Sequence, residues 1–124
     1  MARPALFLLR SGSWEARYQA TSLAITAAAL GDDVRVALFF EALRAWSGGR
    51  FDEGAPPEAA AAGVQGLRAT LDEARTHLGL AVVACDTAVK LAGLSGDAAA
   101  LGLDAVESLP SLWRFGRGGA VLSL

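Results

Sequence analysis

The amino-acid sequence predicts an α/β protein of three layers, α/β/α, in which a five-stranded, mostly parallel sheet lies between helices. Five short apolar runs alternate with segments of helical spacing, which is typical of strand–helix–strand units. The connections are mostly short, and this favours right-handed crossovers between parallel strands. The 124 residues are enough for one domain with a buried core, so we predict a single domain over 1–124.

The first strand and the first helix follow from the run ALFLL at 5–9 and the alanine-rich segment at 15–30. The run has no helical period, and the letters RSGS after it predict a loop. Ser11 or Ser13 can cap the helix, which ends before a glycine. Spacing places three apolar residues on the helix face that we expect to be buried: Leu23, Ala27 and Leu30.

The middle of the chain continues this alternation. Valines and phenylalanines predict a second strand at about 34–40, and a short helix follows from Glu41 to Trp46. The next segment, 47–66, mixes glycine, proline and alanine without a clear period. We therefore expect a variable excursion over the surface there.

The second half completes the sheet. Leucines spaced by three and four residues predict a helix over 67–78, and LAVVA at 80–84 predicts a buried strand. A helix follows from Cys85 and Asp86 to a glycine. The remaining letters predict a turn or two of helix (GDAAALG), a short strand (DAVESL), a helical turn that begins with proline (PSLWRF) and a last strand (GGAVLSL).

Composition and charge restrict the class of partner and the location. The net charge is −2 and the basic residues form no run, so we expect no nucleic-acid partner. The first apolar stretch is too short for a signal peptide or a membrane span, so we expect no membrane partner. One cysteine makes no internal disulfide, and we therefore expect a cytoplasmic protein. The hydrophobic content of 53% is high for a monomer and suggests contacts between subunits.

Ligands of open parallel sheets bind outside the carboxyl ends of the strands, next to helix N-termini. Cys85 ends the third predicted strand and begins the next helix, where the helix dipole favours a thiolate. Thr87 and first-turn amides can hydrogen-bond that sulfur, whereas the carboxylate of Asp86 competes for the same helix end. The alternative is that Cys85 is a small buried residue that only packs.

Neighbouring strand-end loops supply further candidates for the thiolate or ligand environment, namely Ser11, Ser13 and Glu41. The serines can cradle an anion or a flavin phosphate, but the loop has neither glycine-rich phosphate motif, and ordinary helix capping explains it better. Trp14, Trp46 and Trp113 lie near predicted element ends, as core, subunit contacts or pocket walls.

Several cysteine and metal chemistries lack the residues they need. The chain has CDTA where a thioredoxin-like protein has C-x-x-C, and no threonine–proline loop of the peroxiredoxin type precedes the cysteine. His77 and one thiolate are too few ligands for zinc, so we expect no metal. His77 itself is best explained by its place at a helix C-terminus.

The segment VVACDTAVKLAGL, followed by DAVESLPSLWRF and a closing apolar strand, resembles the DsrE/DsrF-like family, which includes the sulfur-relay subunits of the TusBCD type. The first half of the chain, up to Trp46, also fits this family. The resemblance implies a flavodoxin-like, DsrEFH-like fold, a persulfide on Cys85, assembly into trimers or hexamers, and a small sulfur-acceptor protein as partner. It implies no cofactor. Asp86 departs from the family, in which an uncharged residue follows the cysteine.

Two functions remain open from the sequence. The first is a sulfur carrier, or sulfurtransferase, that relays sulfane sulfur on Cys85. The second is a non-catalytic oligomer that binds a small anion or nucleotide at the strand ends and in which Cys85 is structural. A flavin or nucleotide site on Ser11 and Ser13 is a third hypothesis.

Overall fold

A computed structural model describes residues 2–124; Met1, the first residue of the predicted domain, lies outside them. The strands are β1 (Pro4–Leu9), β2 (Asp33–Leu38), β3 (Ala81–Cys85), β4 (Ala105–Glu107) and β5 (Ala120–Ser123). The helices are α1 (Trp14–Ala29), α2 (Phe40–Ser47), α3 (Glu58–Ala61), α4 (Leu67–His77), α5 (Asp86–Leu91) and α6 (Leu109–Gly116). All strand pairs are parallel, in the order β4-β3-β2-β1-β5, so the predicted α/β class is confirmed.

The strand order decides on which side of the sheet each helix lies. The steps from β1 to β2, β3 and β4 all run in one direction, so right-handed crossovers place α1 to α5 on one face. The chain then returns past β1 to β5, which places α6 on the opposite face. A contact between β2 and α6 agrees with this placement. The guanidinium carbon of Arg35, on β2, lies 3.9 Å from the centre of the Phe115 ring, on α6. The direction reverses between β1 and β5, and their carboxyl ends form the topological switch point.

The buried side of α1 differs from the predicted one. Leu23 is 38% exposed and Leu30 is 80% exposed. The residues that face the core are instead small: Ala20, Ala24 and Ala28. Alanines at this spacing let the helix backbone approach the sheet closely, whereas leucines would hold it away. In a helix rich in alanine, residue size says little about which face is buried.

Arg17 anchors the glycine- and proline-rich segment that follows α2. Its side chain is 4% exposed, and its guanidinium donates to the backbone carbonyls of Arg50 (2.9 Å), Phe51 (2.6 Å) and Glu53 (2.7 Å). Two further bonds reach the loop after β1, at the carbonyls of Gly12 and Ser13. Desolvation by burial lowers the pKa of Arg17, although nearby acidic residues oppose this. The segment predicted as a surface excursion, 47–66, is mostly exposed, but it contains α3 and two buried residues, Phe51 and Ala59.

Two local predictions are wrong. The letters GDAAALG form hydrogen-bonded turns and no helix, with the amide of Ala100 donating to the side chain of Asp97 at 2.9 Å. The second strand ends at Leu38 and not at residue 40, because Phe40 has a φ of +50° and turns the chain into α2. A left-handed conformation at a phenylalanine carries strain that the surrounding packing must offset.

Candidate functional site

The carboxyl ends of the parallel strands meet at one edge of the sheet, as predicted, and Cys85 lies there. It is the last residue of β3, the N-cap residue of α5, and 5% exposed. On the neighbouring strand it is in register with Glu107. The thiol is thus at the turn from strand to helix, below the surface.

Asp86 takes the hydrogen-bond donors that a thiolate at Cys85 would use. Its Oδ1 accepts from the amide of Thr87 at 2.7 Å and lies 3.4 Å from the hydroxyl of the same residue. The Sγ of Cys85 is 3.8 Å from this oxygen, close enough for the weak hydrogen bond of a thiol. Cys85 makes no capping bond through its side chain. At this helix end the carboxylate of Asp86, and not the sulfur of Cys85, therefore bonds the donors of the first turn.

The side chains of the two serines after β1, Ser11 and Ser13, form hydrogen bonds within the loop and to the first turn of α1. Ser13 caps α1 by accepting from the amide of Ala16 at 3.1 Å. Ser11 accepts from the amide of Ser13 at 3.1 Å, and their hydroxyl oxygens are 3.2 Å apart. Ordinary helix capping explains the conformation of this loop.

A cavity of about 420 Å³ opens at the topological switch point. Its walls come from the loop after β1, the start of α2 and the last residue of the chain: Arg10, Ser11, Gly12, Phe40, Glu41 and Leu124. A Cβ at Gly12 would collide with the carboxylate of Glu41, so a larger residue here would displace that side chain. The sequence already places Arg10 and Phe40 in loops at the strand ends, but it does not show that they wall one cavity with Leu124, since only the strand order brings β1 and β5 side by side.

The candidate residues therefore form two groups. Ser11 and Glu41 share the cavity, whereas Cys85, Asp86 and Thr87 lie at the end of β3. Because β2 separates β1 from β3, the loop that carries Ser11 leaves the sheet two strand spacings, about 10 Å, from the end of β3, whereas Glu41 follows β2 and leaves it one spacing away.

Glu107, which sequence reasoning also missed, joins β2, β4 and α6. Its carboxylate pairs with Arg35 at 2.8 Å and accepts from the hydroxyl of Ser111 at 3.1 Å. The sequence signal is its place at the end of the DAVE strand, directly before the cap of α6. Its oxygens are held by these bonds beside the strand that carries Cys85.

An ion-pair cluster lies at the other end of the sheet, where β3 and β4 begin. Asp104 accepts from the amide of Val82 at 2.8 Å and pairs with Arg75 through both oxygens, at 2.9 and 3.0 Å. Desolvation by burial raises the pKa of Asp104, but the hydrogen bonds and the charge of Arg75 outweigh it, so the pKa is lowered overall. These bonds tie α4 to the sheet.

The three tryptophans have different environments. Trp46 and Trp14 belong to the core, and the guanidinium of Arg68 stacks on Trp46 at 3.6 Å. Trp113 on α6 is 61% exposed and lines an apolar cavity of about 450 Å³ with Leu109 and the β1 residue Leu8. The edge strand β5 beside it is also exposed and largely apolar.

Within residues 2–124, no three His, Cys, Asp or Glu side chains come together in a way that could hold a metal ion. No helix in this range is long and apolar enough to cross a membrane.

The chain matches no family model, and no curated protein matches it. Among solved structures, the YchN protein from E. coli is similar over 100% of both chains, with a TM-score of 0.68 and 20% sequence identity. At this identity the likeness shows the fold: a flavodoxin-like α/β protein with an all-parallel sheet of five strands. It supports the fold family that the resemblance to DsrE/DsrF-like proteins implies.

Proposed function

We propose that this protein is a sulfur carrier in which Cys85 holds sulfane sulfur as a persulfide. The observation that carries the proposal is the place of the only cysteine, at the carboxyl end of a central parallel strand and at the N-cap of the next helix. Ligands of such sheets bind at this edge, and a helix N-terminus favours negative charge. The shared fold with YchN and the resemblance of the cysteine segment to sulfur-relay proteins both support it.

The transfer is balanced without a cofactor. The thiolate of Cys85 attacks the outer sulfur of a donor persulfide, the sulfur–sulfur bond of the donor breaks, and the donor leaves as a thiolate. The product is a persulfide on Cys85, with no net oxidation. An acceptor thiolate then attacks the outer sulfur of that persulfide and regenerates Cys85.

Access to the thiol is the limiting condition. Cys85 is 5% exposed, so the donor must be small or the start of α5 must open. Because α5 has only 6 residues, its first turn can open at low cost compared with the rest of the sheet. We therefore expect small sulfur donors to react and bulky thiol reagents to react slowly.

The test is the intact mass of the protein after incubation with thiosulfate or polysulfide, with and without reductant. The proposal requires a reducible gain of about one sulfur atom (~32 Da) on the wild type and none on Cys85→Ser. Ser11→Ala is the matched control, since it removes a polar atom from the same edge of the sheet and should leave the gain unchanged. An unmodified wild-type protein would contradict the proposal.

A second candidate function is the binding of a small anion in the cavity at the switch point, with Cys85 as a packing residue. Arg10 lines the cavity and supplies a positive charge beside Glu41, and the strained backbone at Phe40 is typical of binding sites. Binding of inorganic phosphate that is lost in Arg10→Met and retained in Cys85→Ser would favour this function. Retention in Arg10→Met would exclude it.

The partners belong to the same proposal. We propose a homo-oligomer, a trimer or hexamer as the family resemblance implies, that buries the apolar surface of α6 and β5. Trp113→Asp should then lower the mass measured by light scattering, whereas the exposed Arg114→Asp should change it less. A small acceptor protein and a cytoplasmic location complete the proposal.

A further inference from the structure

An ion pair crosses strand β3 on the face of the sheet that carries α6. Arg35 belongs to β2 and Glu107 belongs to β4, and β3 lies between these two strands. The Nη1 atom of Arg35 nevertheless reaches both carboxylate oxygens of Glu107, at 2.8 and 3.0 Å. The two side chains therefore bridge two strand spacings, about 10 Å, above the residues of β3.

The side chain of Cys85 lies on the same face of the sheet as this ion pair. Residues in register on neighbouring strands point to the same side, and Cys85 is in register with Glu107. A second pairing agrees, because Arg35 is in register with Ala81, and side chains an even number of residues apart on one strand share a face. The carboxylate of Glu107 is thus held one strand away from the sulfur.

Contacts with α6 fix the position of both members of the ion pair. Ser111 donates to Oε1 of Glu107 at 3.1 Å, and the guanidinium carbon of Arg35 lies 3.9 Å from the centre of the Phe115 ring. The side chains of Arg35 and Glu107 are 31% and 16% exposed, so water screens their charges only in part. Without Arg35, the carboxylate of Glu107 would be an uncompensated negative charge near the sulfur.

We propose that Arg35 is a positioning residue for the sulfur chemistry. It neutralises Glu107, so this carboxylate does not repel the negative charge with which the sulfur of Cys85 attacks a donor. This role rests on the proposed persulfide function and adds an electrostatic requirement to it. A purely structural role would have the opposite sign, because loss of the ion pair would uncover β3 and make the sulfur easier to reach.

The test is the rate of alkylation of Cys85 by iodoacetamide at pH 7, measured by intact mass on the full chain. Arg35→Met should react roughly three- to tenfold more slowly than the wild type, for a charge about 6 Å from the sulfur and a dielectric constant between about 40 and 80. Arg35→Lys keeps the charge and should restore most of the rate. Arg35→Met combined with Glu107→Gln removes both charges and should react as the wild type does.

Arg68→Met is the matched control. Arg68 is also partly exposed, pairs with the carboxylate of Asp72 at 3.2 Å and stacks on the ring of Trp46, but it belongs to α4, on the opposite face of the sheet. Its loss removes an ion pair of the same kind far from the sulfur. This variant should therefore be alkylated at the wild-type rate.

Two results would overturn the proposal: an equal or faster rate in Arg35→Met, or a double variant as slow as Arg35→Met. If Arg35→Met does not fold, Glu107→Gln tests the same charge, because it leaves Arg35 uncompensated and should speed alkylation. Molar salt should bring that rate back towards the wild type, and an unchanged or slower rate in Glu107→Gln would then overturn the proposal. Failure of the persulfide function is distinguishable, since it appears as a wild-type protein that is alkylated but gains no sulfur from thiosulfate or polysulfide.

Discussion

Replacing Asp86 by asparagine should make Cys85 more reactive. The carboxylate oxygen of Asp86 is 3.8 Å from the sulfur, so its charge repels the negative charge with which the sulfur attacks an electrophile. Asparagine keeps an oxygen that can accept from the amide of Thr87, and the first turn of α5 should therefore be preserved. The substitution therefore removes the negative charge of residue 86 and keeps its hydrogen bond.

The distance sets the size of the effect. Two charges at 3.8 Å repel each other by about 1 kcal/mol at the dielectric constant of water, and by about 2 kcal/mol at half that value. These energies correspond to a roughly five- to thirtyfold faster reaction of the sulfur with an electrophile. Because Cys85 is buried and Asp86 is partly exposed, we expect a value between these limits.

The assay is the rate of alkylation of Cys85 by iodoacetamide at pH 7, measured by intact mass. Asp86→Asn should react at least fivefold faster than the wild type. Asp97→Asn is the matched control, because it removes the same charge from another aspartate that bonds a nearby amide. Molar salt should raise the wild-type rate towards that of the variant. An unchanged or slower rate in Asp86→Asn would refute the electrostatic argument.

Three further predictions concern stability. Arg17→Met should lower the free energy of unfolding by about 3 kcal/mol and speed hydrogen exchange in the segment it anchors, because buried carbonyls lose their donor; unchanged exchange would contradict this role. Asp104→Asn should cost about 1 kcal/mol in chemical denaturation at pH 7. The pKa of Asp104 is lowered in the folded state, so this contribution to stability is complete above about pH 5 and is lost as the pH falls below about 4. A stability difference between the wild type and Asp104→Asn that stays constant down to pH 2 would exclude this contribution. Gly119→Ala should lower the free energy of unfolding by about 1–3 kcal/mol in thermal melts, because its Cβ would collide with the carbonyl of Pro4. Gly49→Ala is the control and should cost about 1 kcal/mol through its positive φ alone. Equal costs for the two variants would contradict the collision.

The order of strands and helices could be predicted from the sequence because it depends on short-range patterns. Apolar runs such as ALFLL and LAVVA are too short for helices, and glycines end the segments between them. The same patterns place Cys85 at the end of β3, since a strand and the helix after it fix that position along the chain. Parallel pairing follows from the crossovers, which need no knowledge of distant contacts.

The buried face of α1 needed the tertiary structure, because apolar residues occur on every side of this helix and spacing alone does not choose between its faces. Close approach to the sheet selected the alanine face. The bonds from Arg17 to residues 50–53 join positions more than thirty apart, which no local pattern encodes. The cavity at the switch point exists because β5 pairs with β1, and Ser11 is separated from Cys85 because β2 lies between their strands. The sequence thus determined which elements form and which residues end them. Only the packing of distant segments decided which of those residues meet.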